Sequence, residues 1–198
     1  SYGARSFSVW DAQGRLVFDS GDDLEEITAA AYPDGFNSNA HNNESFDDRS
    51  DDKGPEPEGL TIGVIEGRTY AFIGLEHIGG IMVYDVTDPT APTFVQYVNT
   101  CNFDGVLEEG TAGDVAPEGL TFIPADESPN GKPLLVVAFE VSGTTTIFEI
   151  TEAVAELKAL PETGGNVPLG DPIYLLLAAG AGLLVSGCAL RRLSRSWS

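Results

Sequence analysis

Glu58 and Glu118 occupy the same place in a five-residue segment that occurs twice, Pro-Glu-Gly-Leu-Thr at 57–61 and again at 117–121. Glu76 and Glu140 form a second matched pair, each closing the apolar stretch that comes next. Carboxylates repeated at equivalent positions suit a hard cation such as Ca²⁺, which takes roughly six to eight oxygen ligands. Asp47, Asp48, Asp51 and Asp52 offer further oxygens, although no segment has the spacing of an EF-hand loop. The same glutamates could instead cap turns by accepting backbone N–H bonds, a structural role. His41 and His77 lack ligand-like spacing and no Cys/His cluster accompanies them, which speaks against zinc. The chain has no nucleophile elbow, P-loop or dinucleotide fingerprint. Arg49 and Lys53 are rare cations in an acidic stretch. They could meet an anionic substrate beside Ca²⁺, as phosphoester chemistry requires, or pair with the aspartates around them.

The repeat also predicts the elements that must hold these residues. After each Pro-Glu-Gly come an apolar strand (60–65; 120–123), a Gly-containing turn and a second strand ending in an acid (70–76; 134–140). A third strand closes each unit (81–86; 146–150), and residues 7–11 carry a partial third copy of it. Segments 93–99 and 15–19 supply outer fourth strands. All are rich in Val, Ile, Phe, Tyr and Thr and bounded by Gly, Pro, Asn and Asp. Four-stranded antiparallel units recurring at this interval predict an all-β fold, a partial β-propeller of about two and a half blades. In such a ring the first strand of each blade lines a channel, onto which Glu58, Glu76, Glu118 and Glu140 would converge. An open antiparallel sandwich built from the same strands is the alternative.

Charge narrows the partners. Ten Lys and Arg face 31 Asp and Glu, a net charge of −21. That field repels nucleic acid and anionic lipid and is compatible with cation binding or with plain solvation. Ten of the acids lie between Asp19 and Pro55, a segment poor in apolar residues with room for one or two helical turns at 24–31. A loop of that length without a core of its own is functional or mobile. The chain starts at Ser1 with no initiator Met, basic n-region or apolar h-region, so its true N-terminus is expected to lie upstream.

The C-terminal stretch has a tripartite order. Leu160-Pro161-Glu162-Thr163-Gly164 is followed by an apolar run, 173–190, and then Arg191, Arg192 and Arg195. The run would span about 27 Å as a helix, near the thickness of a bilayer core. This order resembles a bacterial cell-wall sorting signal. The resemblance implies cleavage between Thr163 and Gly164 by a sortase, transfer to peptidoglycan, and transient membrane insertion through 173–190. An ordinary single-span anchor is the simpler alternative, and either would display the chain at an extracellular cell surface. Cys188 would then lie in the membrane and Cys101 outside it, so no disulfide is expected.

Three stretches together resemble one family. Gly3-Ala4-Arg5-Ser6-Phe7-Ser8-Val9-Trp10-Asp11, the segment 47–59 and Gly79-Gly80-Ile81-Met82-Val83-Tyr84-Asp85 are similar to the choice-of-anchor I family of bacterial surface β-propellers. The resemblance implies that residues 1–151 are the C-terminal part of such a propeller, 152–159 a short spacer and 160–198 the sorting signal. It implies a displayed binding or interaction module. Some relatives carry the label alkaline phosphatase-like, which implies the alternative of a Ca²⁺-dependent phosphoesterase at the channel.

Overall fold

The computed structural model describes residues 5–40 and 45–152, together with the backbone of 174–176. Its strands are β1 (Ser8–Trp10), β2 (Leu16–Asp19), β3 (Pro57–Ile65), β4 (Arg68–Leu75), β5 (Ile81–Asp85), β6 (Thr93–Val98), β7 (Pro117–Ile123), β8 (Leu134–Phe139), β9 (Thr144–Glu152) and β10 (Tyr174–Leu176). One helix, α1 (Asp23–Ala31), and a 3₁₀ turn at Pro33–Gly35 lie between β2 and β3. Asp23, Glu25 and Glu26 occupy the first turn of α1, where the helix dipole favours negative charge.

Three open antiparallel sheets result: β1–β2, β3–β4–β5–β6, and β10–β9–β8–β7. Strand alternation explains how they stack. In β4 and β5, Tyr70, Phe72, Ile81 and Val83 point one way and pack on Leu135, Val137, Phe139, Phe148 and Ile150 of the third sheet. The intervening Ala71, Ile73, Leu75, Met82 and Tyr84 point the other way, onto Phe7, Val9 and Phe18 of the hairpin and Leu24 of α1. Successive side chains of a strand face opposite sides, so the middle sheet serves two cores. Each large side chain so buried is worth about 1.5–3 kcal/mol relative to exposure.

Glycine lets the middle and third sheets meet closely. A Cβ at Gly59 would lie 2.4 Å from the Glu118 carbonyl oxygen, and one at Gly63 would lie 2.6 Å from the Phe122 ring. No side chain fits there, so the β7 backbone at Glu118 and the Phe122 ring lie directly on the backbone of β3.

Two expectations are corrected. The sheets stack in a row and do not close into a propeller, and Leu60, Ile62 and Val64 remain exposed on the outer face of β3. No channel therefore exists among the described residues for the four glutamates to line. The run read as a membrane helix also differs: Tyr174–Leu176 pairs antiparallel with β9 at 150–152, forming the edge of a sheet. Among the described residues no helix is long and apolar enough to cross a membrane. The remainder of 173–190 and the motif 160–164 lie outside the described residues.

Candidate metal centre

The acidic stretch before β3 is held by a buried polar hub. Asn37, fully buried, donates from Nδ2 to Glu25 Oε1 at 2.7 Å and to Ser50 Oγ at 2.9 Å. Arg5 pairs with the same Glu25 oxygen at 2.6 Å and also donates to the Ser50 carbonyl. Backbone bonds from Asp47 to Phe36 (2.8 Å) and from Arg49 to Asn37 (3.0 Å) fix the loop's path. A loop that looks polar and coreless in sequence thus has a polar core, which satisfies groups that would be costly to bury alone.

The hub delivers Glu56 to the end of β4. Glu56 adopts a left-handed backbone, φ +51°, immediately before Pro57. Its carbonyl accepts the Glu76 N–H at 2.9 Å, and the Pro55 carbonyl accepts the His77 N–H at 3.4 Å. Those two bonds bring three side chains together. Glu56, Glu76 and His77 each present one donor atom, all within 4.8 Å of one another. His77 Nε2 lies 2.6 Å from Glu56 Oε2, with His77 only 7% exposed and Glu56 14%. Lys53 pairs with the other oxygen of Glu56.

Glu58 completes the surroundings. It hydrogen bonds to the Glu76 carboxyl, and this contact is the main reason the Glu76 pKa is pushed up to about 8. Burial and the negative charges of Glu56 and Glu58 raise it further, while Lys53 partly offsets them. The pair therefore shares a proton near neutral pH. A proton held between converging carboxylates marks a place where a dication would be welcome, since the ion can replace it.

The second repeat supplies a contrast on the same backbone. Ala116 stands where Glu56 does, also left-handed at φ +62°, and its carbonyl accepts the Glu140 N–H at 2.8 Å. Val141 stands in the place of His77. The turn therefore forms without the glutamate and without the histidine, and neither is there to make the fold.

The four glutamates read from the repeat thus have different fates. Glu76 belongs to the group and Glu58 borders it, whereas Glu118 and Glu140 are exposed on the third sheet and are not part of it. Asp47, Asp48, Asp51 and Asp52 are likewise outside the group. Arg49 pairs with Asp52 at 2.6 Å and Lys53 with Glu56, so both cations are local partners of acids. Glu56 and His77 were not singled out by sequence as ligands. The available signal was the pair of positions at which the two repeats differ. A second buried carboxylate, Asp114, accepts from Thr100 (3.1 Å), Thr144 (2.8 Å) and Thr146 (2.8 Å), which is a structural set. Beside it burial pushes the Cys101 thiol up to about 11, leaving it inert as a nucleophile.

Comparison with known proteins agrees with part of the sequence resemblance. Gigasin-3a from Magallana gigas is 34% identical over 162 residues, covering 76% of this chain and 57% of that protein. The mesenchyme-specific cell surface glycoprotein of Strongylocentrotus purpuratus is 32% identical over 79 residues, 36% of this chain and 10% of that protein. The chain thus spans little more than half the length of the first relative and a small part of the second. No solved structure matches. The match to a family model ends at residue 89 and includes no sorting signal, and the run read as an anchor begins as a strand. The expectation of a sortase-processed, surface-anchored propeller, acting as a displayed module or as a channel phosphoesterase, is corrected accordingly. What the comparisons support is a choice-of-anchor I domain over residues 1–89, and the Glu56–Glu76–His77 group lies within it.

Proposed function

We propose that this choice-of-anchor I domain is a divalent-cation-binding module. The ion would bind Glu56, Glu76 and His77, with Glu58 at its border, and would tie the acidic loop to the end of β4. One observation carries the reading. Three donor atoms converge within 4.8 Å at a turn whose twin in the second repeat folds with Ala116 and Val141 instead. Ca²⁺, the ion to which repeated carboxylates point, could take the oxygens of Glu56, Glu58 and Glu76, with water completing its shell.

Thermal unfolding of the chelator-stripped full chain tests this. A ligand that binds only the native state at about 100 times its Kd adds about 2.7 kcal/mol of stability. Ca²⁺, Mg²⁺, Mn²⁺ and Zn²⁺ would be added singly, to the parent and to Glu56→Gln. The expected result is a saturable rise in Tm with at least one ion, lost in Glu56→Gln. If no ion shifts the parent at millimolar concentration, the centre is a structural hydrogen-bond cluster and the reading fails.

A further inference from the structure

We infer that the centre selects a borderline transition-metal dication of the Zn²⁺ class over Ca²⁺, and that His77 makes the selection. This rests on the reading of the group as a cation site and adds the identity of the ion. The donor set comes first. One imidazole nitrogen and two carboxylate oxygens converge here. Imidazole suits Zn²⁺ and its neighbours, whereas Ca²⁺ and Mg²⁺ are served by oxygen alone. Three protein donors with a fourth position for water, or for Glu58, match the coordination number of zinc.

Burial supplies the second argument. A Ca²⁺ ion gathers roughly six to eight oxygens and makes up any shortfall with water. His77 is 7% exposed, so its ring leaves little room for water on that side of the group. One side of the ion would face a nitrogen heterocycle that Ca²⁺ does not favour. The third argument is the 2.6 Å approach of Nε2 to Glu56 Oε2. It brings a nitrogen and an oxygen ligand atom side by side in a buried place. The second repeat agrees: where Val141 replaces the histidine, Ala116 replaces the glutamate. The two positions change together, as they would if they served one ligand.

The test uses the chelator-stripped full chain. Direct titration should show Zn²⁺ binding at least about tenfold more tightly than Ca²⁺, in line with the preference of imidazole sites. Histidine ring resonances give a reading that needs no variant, because the chain has only His41 and His77. The His77 signals should shift with Zn²⁺ at one equivalent and stay fixed with Ca²⁺. His77→Asn should then weaken Zn²⁺ by about 10- to 100-fold and leave Ca²⁺ unchanged. Ca²⁺ binding as tightly as Zn²⁺, or Zn²⁺ bound while the His77 resonances stay still, would overturn the inference and leave the cation reading standing. Binding of neither ion would overturn both.

Discussion

Replacing Glu76 by Gln should abolish the pH dependence that this side chain imposes on stability. In the folded chain its pKa is about 8, against an ordinary 4.5, chiefly because it shares a hydrogen bond with Glu58. Between those two values the folded state holds a proton that the unfolded chain has released. Stability contributed by the protonated pair is therefore complete below about pH 4.5 and is lost as pH rises through 8. At about 1.36 kcal/mol per pH unit, the unscreened ceiling is a little under ~5 kcal/mol. Glu76 is only partly buried and solvent screens its neighbours, so about 2 kcal/mol is the expected effect. Glutamine keeps a donor for Glu58 and carries no charge at any pH. Chelator-stripped parent and variant should melt together near pH 5 and diverge with rising pH, the variant ahead by about 4–8 °C at pH 9. Other titrating groups are common to both proteins and cancel in the difference. A gap that stays constant from pH 5 to pH 9, or one that favours the parent at high pH, would refute the shared-proton account.

Two further outcomes follow from the same geometry. Building the missing donors into the second repeat, Ala116→Glu with Val141→His, places them beside the existing Glu118 and Glu140, and calorimetric titration should then count two ions per chain where the parent binds one; an unchanged count would show that turn geometry alone does not make the centre. Gly63→Val should cost about 3 kcal/mol in urea unfolding, because its side chain would overlap the Phe122 ring across the β3–β7 contact, and a loss below about 0.5 kcal/mol would mean that the two strands are not held that closely.

The strands were largely legible in sequence, because alternating apolar residues and Gly-containing turns are local signals. Residues 93–99 read as a fourth strand, and β6 runs Thr93–Val98. Closure was not legible: whether sheets join in a ring or stack in a row depends on contacts between units, such as the Gly59 and Gly63 approach to β7. The C-terminal run misled because a largely apolar stretch of eighteen residues is scored as a membrane helix by hydropathy, while Tyr174–Leu176 satisfies its backbone on the edge of β9. At the centre the error was instructive. Comparing the repeats drew attention to what they share, Glu58 with Glu118 and Glu76 with Glu140. The donors that make a site possible, Glu56 and His77, stand where the repeats diverge. The case against zinc had the same blind spot, since it looked only for histidine and cysteine ligands close in sequence. Glu56 reaches His77 only because the Asn37 hub returns the acidic loop to the end of β4.

The double-sided burial of β4 and β5 makes those strands a party wall between two rooms. Tyr70 and Phe72 furnish one core, Ala71 and Ile73 the other, on adjacent residues of one strand. Displacing the wall disturbs both rooms, so neither core can open while its neighbour stays intact. Amides along β4 should accordingly exchange with solvent only through openings that breach both sides, the slowest class in the molecule. Glu76 and His77 follow β4 directly, so an ion held there would be clamped to the end of that wall. Its release rate would then report on the rarest motion of the chain rather than on the breathing of a surface loop.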